Sequence, residues 1–172
     1  MRTSSGMTGA PTLELASLVR EHQDMVFSIA FQYLRDAGAA EDVAQEVFLQ
    51  LSQKLGALGS AEHAKAWLRT VTCHRAIDFG RRNSDRTHVP LDEAPEPAQP
   101  EAADPAVARE LETWVQALPE RMRMAVVLRY TEDLGPQEIA QVMGAPLNTV
   151  KSLLRRALER LRGRSETQEV GT

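Results

Sequence analysis

Three stretches in the first half of the chain and four in the second carry apolar residues at the three- and four-residue spacing of an amphipathic helix. Leu15, Leu18, Val19, Val26, Ile29, Ala30 and Tyr33 predict a helix over about 13–35. Val43, Val47, Phe48, Leu51 and Leu55 predict a second over about 39–55, with Asp36 and Gly38 punctuating the gap. Ser60 is a natural N-cap for a third. That helix uses Ala64, Trp67, Leu68, Val71 and Ile77 and is expected to end near Gly80. Downstream, Asp104-Pro105 is a cap followed by proline at the first helical position. The helix it opens runs through Val107, Leu111 and Trp114 to about Leu118, and Pro119 opens the next, to about Tyr130. Gly135-Pro136 opens a short helix to Met143, stopped by Gly144 and Pro146. The last is expected from Asn148 to about Arg162, ending before Gly163. No strand pattern and no internal repeat interrupts the series, so the expected fold is all-α.

The widest break runs from Val89 to Ala106. It holds Pro90, Pro95, Pro97, Pro100 and Pro105 among Asp92, Glu93, Glu96, Glu101 and Asp104, without a lysine or arginine. Proline removes backbone donors and biases its predecessor away from helix, and carboxylates that repel extend the chain. Two small helical domains on a flexible acidic tether are expected: 12–86, with three helices, and 106–164. The linker is 87–105, and residues 1–11 and 165–172 are disordered tails. A long surface loop within one domain is the plainer alternative, but structureless loops of this length are uncommon in compact domains.

Composition narrows the functional classes. Aromatics make up 5% of the 172 residues, so the cores must be aliphatic, which suits helix packing. There is no apolar run of the ~20 residues that span a bilayer. The Ser/Thr/Gly-rich start lacks the apolar stretch of a secretory signal, and the single cysteine, Cys73, allows no internal disulfide. A cytoplasmic location is expected. His22, His63, His74 and His88 have no metal-ligand spacing, and no glycine-rich phosphate loop occurs. Neither an enzyme nor a cofactor or small-molecule substrate is expected.

Net charge is −4, the wrong sign for a protein that grips duplex DNA unaided. The charges are unevenly placed. From Pro146 to Arg164 there are six cations (Lys151, Arg155, Arg156, Arg160, Arg162, Arg164) against Glu159 alone. The two final helices and the tight turn between them form a helix-turn-helix pattern. Val150, Leu154, Ala157 and Leu161, widened by Leu153 and Leu158, make its buried stripe. Asn148, Thr149, Lys151, Ser152, Arg155 and Arg156 lie on the opposite face or its margins. Such a helix fits the major groove. Asn and Arg can pair with adenine and guanine, each contact being worth about 1–3 kcal/mol of discrimination. An ordinary solvated bundle helix would share the periodicity, but not the turn and the charge surplus together.

In the first half, the second helix sets Asp42, Gln45, Glu46, Leu49 and Gln53 nearly opposite its core stripe. A leucine among acids and amides suggests a docking face, although single exposed leucines are common. The third helix turns Lys65, Arg69, His74 and Arg75 outward, followed by Arg81, Arg82 and Arg86. Cations beside small polar groups suit a grip on single-stranded DNA, and equally an ordinary charged surface.

In these motifs the chain resembles the extracytoplasmic-function sigma factors of the sigma-70 family, over about Leu18 to Arg162. The resemblance rests on Ala40-Glu41-Asp42-Val43-Ala44-Gln45-Glu46-Val47-Phe48, on Ala66-Trp67-Leu68 with Ala76-Ile77-Asp78, on Leu118-Pro119-Glu120-Arg121, and on Glu138-Ile139-Ala140 with Thr149-Val150-Lys151-Ser152. It implies a promoter-melting region 2 domain and a region 4 helix-turn-helix domain. It implies docking of Asp42, Gln45, Glu46, Leu49 and Gln53 on the clamp helices of the RNA polymerase largest subunit, with a further contact to the β-subunit flap. Arg69, His74, Arg75, Asp78, Arg81 and Arg82 would capture the single-stranded −10 element. Asn148, Thr149, Lys151, Ser152, Arg155 and Arg156 would read the duplex −35 element. An anti-sigma factor, often membrane-bound in that family, is the implied regulator. His74 stands where the family usually has Asn, Cys73 where Arg is frequent, and Leu153 and Leu158 replace familiar arginines. Gly135-Pro136 replaces a polar helix start. The alternatives are a helix-turn-helix regulator independent of polymerase, which would shift DNA without it, and a module that binds only protein.

Overall fold

The computed structural model describes residues 13–84 and 104–169. Among these residues it is all-helical: α1 Leu15–Leu34, α2 Ala37–Lys54, α3 Ala61–Ser84, α4 Pro105–Gln116, α5 Glu120–Thr131, α6 Pro136–Met143 and α7 Leu147–Glu169, with a 3-10 turn at Leu55–Ala57 after α2. The N-terminal tail and the body of the acidic tether, with Arg86 and His88, lie outside the described residues. Asp104 and Pro105, where the expected linker and the expected helix start overlapped, form the cap and first residue of α4.

Local chemistry places the helix starts. The Asp36 carboxylate accepts from the Ala39 amide at 2.8 Å, so Asp36 caps α2 and Gly38 lies inside it. Ser60 Oγ accepts from His63 N at 3.1 Å, and Asp104 Oδ1 accepts from Ala106 N at 2.9 Å. Each side-chain oxygen satisfies an amide that has no helical partner. Two expected stops are corrected. α3 continues past Gly80 to Ser84, because Gly80 serves packing: a Cβ there would lie 3.2 Å from the Tyr33 ring. α7 continues past Gly163 to Glu169, so the chain from 165 to 169 is helical rather than a disordered tail. Nothing within 4 Å would meet a Cβ at Gly163, and its only local cost to a helix is entropic.

Packing follows the halves and then joins them. Leu18, Val26, Ala30, Val43, Val47, Leu51, Ala64 and Leu68 form a core wholly within α1–α3 and their turns. Leu118, Met122, Val126 and Ala157 form a small core within the second half. A third cluster is shared. Ile29 and Tyr33 of α1 and Cys73 and Ala76 of α3 pack with Met124, Ala125, Leu128, Ile139, Met143 and Val150. The sequence suggested two bodies held apart; the structure sets them in contact through α1, α3, α5 and α6. The joint explains why α5 is buried on consecutive residues from Met124 to Leu128. A helix covered from both sides loses one-sided amphipathicity.

Candidate nucleic-acid interface

The second half holds a helix-turn-helix. Gly135 N donates to Glu138 Oε2 at 2.8 Å, fixing the start of α6, with Pro136 at its first position. Gly144 ends α6 with φ +58, the left-handed region in which glycine escapes the Cβ penalty. Ala145 N then donates to Ala140 O at 3.0 Å, and Val150 N to Pro146 O at 3.1 Å. These bonds fold the turn and aim α7.

On α7, Val150 and Ala157 are fully buried and anchor the helix. Asn148, Thr149, Lys151, Arg155 and Arg156 are exposed on its outer side, and Ser152 is half-buried. Leu158, expected to widen the buried stripe, is instead 37% exposed. Arg155 stands 3.7 Å from Glu159 one turn on, a solvent-exposed pair of little energetic weight. Lys151, Arg156 and Arg160 make no ion pair among the described residues. A row of cations with Asn148 and Thr149 at its leading end thus faces outward.

The first half is arranged differently. On α2, Asp42, Gln45 and Gln53 are exposed and Leu49 is 62% exposed. Glu46 is half-buried because it pairs with Arg75 of α3 at 3.0 Å. Two sites that the sequence kept separate therefore touch at Glu46–Arg75. On α3, His74, Asp78, Arg81 and Arg82 are exposed, whereas Arg69 and Arg75 are half-buried. Arg82 Nε donates to the Asp78 carbonyl at 3.3 Å.

Three arginines of the first half, Arg35, Arg69 and Arg81, end on the second. Arg69 donates through Nε and Nη2 to Glu132 Oε2 at 3.0 and 2.9 Å. Arg81 donates through Nε to Glu120 at 2.8 and 3.0 Å and through Nη2 at 2.5 Å. This contact holds the Glu120 carboxyl below its usual range, first through the hydrogen bond and with Arg81, Arg121 and Arg123 adding attraction. Arg35, in the left-handed region at φ 54, lies over the Phe31 ring and reaches Glu112 of α4 at 2.6 Å. In the reverse direction, Arg123 of α5 lies 5.1 Å from the centroid of the Tyr33 ring. Glu112, Glu132 and Arg123 were not singled out from sequence, and Glu120 stood there only as part of a family motif, with no partner assigned. Their partners are tens of residues distant, and no local pattern marks them.

Two buried groups are chemically quiet. Burial pushes the Cys73 thiol up to about 12 and the Tyr33 hydroxyl up to about 12. Among the described residues no cluster of His, Cys, Asp and Glu could hold a metal ion, and no helix is long and apolar enough to cross a membrane.

Comparison with known proteins gives this arrangement a context. A family model for sigma-70 region 2 matches residues 18–86, and one for sigma-70 region 4 matches residues 108–161. The RNA polymerase sigma factor SigV of Bacillus subtilis is 30% identical over 148 residues, covering 86% of this chain and 89% of the relative. The ECF RNA polymerase sigma factor SigK of Mycobacterium tuberculosis is 32% identical over 145 residues, covering 80% of this chain and 78% of the relative. In fold, the chain resembles the sigma factor RpoE of Bartonella quintana, solved with the anti-sigma factor NepR. The TM-score is 0.66 at 22% identity, over 91% of this chain and 98% of that one.

Proposed function

The chain belongs to the extracytoplasmic-function RNA polymerase sigma factors, which are transcription initiation factors, and on that premise we propose how its surfaces divide the work. Residues 106–164 read the −35 duplex with the outer face of α7. Residues 12–86 dock on core polymerase through Asp42, Gln45, Glu46, Leu49 and Gln53. They capture the single-stranded −10 element along α3, with Arg69, His74, Arg75, Asp78, Arg81 and Arg82. The observation that carries this reading is the outward row Asn148, Thr149, Lys151, Arg155 and Arg156 on a helix whose inner side is anchored by Val150 and Ala157. Base-reading groups lead and phosphate-reading cations follow, as groove entry requires.

The net charge of −4 fits a protein that relies on polymerase to present both DNA contacts at once. Two weak contacts on one scaffold gain by effective concentration what neither has alone. An exposed apolar row on α4, Val107 at 57% and Leu111 at 47%, supplies a surface for the β-subunit flap. The chain performs no catalysis of its own and works in the cytoplasm. An anti-sigma factor as regulator is supported by the complex in which its structural neighbour was solved.

The test is reconstitution. The purified chain added to core polymerase should give promoter-dependent transcripts, and transcripts independent of the chain would refute the reading. Leu49→Asp should weaken core association about tenfold, or about 1.4 kcal/mol, without changing the melting temperature. Unchanged affinity in a titration would remove α2 as the docking face.

A further inference from the structure

Arg75 belongs to the α3 group assigned to −10 capture, yet its guanidinium is directed at α2. Nη1 pairs with Glu46 Oε1 at 3.0 Å. Gln50 lies one helical turn beyond Glu46, on the same face of α2. With its amide oxygen turned toward α3, Gln50 accepts from Arg75 Nη2 at 2.6 Å and from Nε at 2.8 Å. One neighbouring helix thus engages all three nitrogens of the fork.

Its position along α3 gives this contact leverage. The fully buried residues that α3 shares with α2 in one core are Ala64 and Leu68, in its first turns. Cys73 and Ala76, on either side of Arg75 in sequence, belong to a cluster that contains no residue of α2. Beyond Leu68, α3 meets the α2 core through the half-buried Val71 and Phe79. Apolar contacts of that kind are non-directional. A guanidinium held at every nitrogen fixes distance and rotation together.

We infer that Arg75 is a positioning residue rather than a strand contact: held by Gln50 and Glu46, it sets the −10 edge of α3 relative to the docking face of α2. This rests on the docking and −10 roles proposed above. α2 presents Asp42, Gln45, Leu49 and Gln53 outward, and α3 presents His74 and Asp78. A rotation of α3 against α2 displaces the second set while the first stays seated on polymerase. Gln50 supplies both hydrogen bonds, so the brace persists when Glu46 is drawn to the clamp.

Open-complex formation at saturating core polymerase separates positioning from docking. Arg75→Met keeps the apolar stem and loses the fork, and should lower open-complex formation about tenfold. Affinity for core should stay within about threefold, since the Glu46 pair is partly exposed. Gln50→Ala should have the same effect, and the double variant should be no worse than either single one, because the two residues act as a unit. Arg75→Lys keeps the charge without the fork and should not restore activity. Holoenzyme binding to a single-stranded −10 oligonucleotide should keep its salt dependence in Arg75→Met. A phosphate ligand would instead take about 0.7 from the slope of log affinity against log salt. It would also leave Gln50→Ala silent and be rescued by lysine, and any of these three results overturns the inference. In the free chain, the Arg75 Nε–H resonance should exchange with water at least about tenfold more slowly than that of exposed Arg156, and lose this protection in Gln50→Ala. Equal exchange overturns the brace whatever happens at promoters. Open complexes insensitive to His74→Ala would instead retire the −10 role of α3 and leave the protected Nε–H in place.

Discussion

The chain has two basic helices, and the fold treats them in opposite ways. On α3, Arg69, Arg75 and Arg81 all end on carboxylates, two of them supplied by the other half of the molecule. On α7, Lys151 and Arg156 face solvent, and Arg155 has only a loose exposed neighbour in Glu159. The same residue type is a structural latch on one helix and an available ligand on the other. Cationic residues in a sequence therefore identify where anions can bind, and the packing decides which anion is already there. Duplex recognition needs a preformed convex helix, which α7 offers at once.

The sharpest way to break this contrast is to remove what supports α7. Val150→Asp would bury a carboxylate against Met124 and Ile139 in the shared core. The expected loss is on the order of 3 kcal/mol or more, read as a large drop in the thermal unfolding midpoint. A midpoint close to wild type would mean that α7 is not anchored by its inner stripe.

Next in size is the outer face itself. Arg155→Ala with Arg156→Ala should lower initiation at −35-dependent promoters by roughly 30-fold or more, because two contacts of about 1–3 kcal/mol each are removed. The melting temperature should stay within error, since neither side chain is buried. Equal activity on promoters with intact and altered −35 elements, before and after the change, would refute the assignment. Gly144→Ala comes third. Its φ of +58 should make the substitution cost about 1–2 kcal/mol, a penalty of conformation alone, as no atom lies within 4 Å of the new Cβ. An unperturbed denaturation midpoint would show that the turn can relax.

Much of this contrast was legible before any coordinates. Ser60 and Asp104 declare their helices because an acceptor at an N-cap has one evident use, whereas Asp36 was read only as a break between helices. Gly144 declares the turn because Pro146, two residues on, bars the helix from continuing. The outer face of α7 was legible because its charges oppose a clean apolar stripe. The joint was not. Cys73 and Ala76 are small residues on a helix already assigned one apolar face. α5 is apolar nearly all round, which signals burial without saying against what. Arg69–Glu132 and Arg81–Glu120 span 63 and 39 positions, and a glutamate that will meet a distant arginine looks like any surface glutamate. Gly80 and Gly163 misled for a related reason. Glycine marks a helix end only when the backbone must turn there, and at Gly80 the missing Cβ makes room for Tyr33.

The smallest expected effect concerns the ground on which α3 rests, and it separates the latch from the fold beneath it by pH. His22 is buried in α1, and its Nε2 has no hydrogen-bond partner; Glu21 is 3.9 Å away. Burial lowers its pKa from 6.5, outweighing the attraction of Glu21, while Lys65 and Arg69 push the same way as burial. The unfolded chain therefore takes up this proton more readily than the folded one. The neutral imidazole's contribution is complete above pH 6.5 and is lost as pH falls from there toward the lowered folded value. Glu120, depressed chiefly by its hydrogen bond to Arg81, behaves in the same sense in a lower window. Its contribution is present above 4.5 and is lost as pH falls through the depressed value. Acidification should therefore weaken the first half before it releases the latch. His22→Leu should abolish the earlier loss in a pH series of thermal melts and keep the later one, and Glu120→Gln should do the converse. A single acid transition unaffected by His22→Leu would mean that the imidazole is hydrated in solution and that α3 stands on firmer ground than its burial implies.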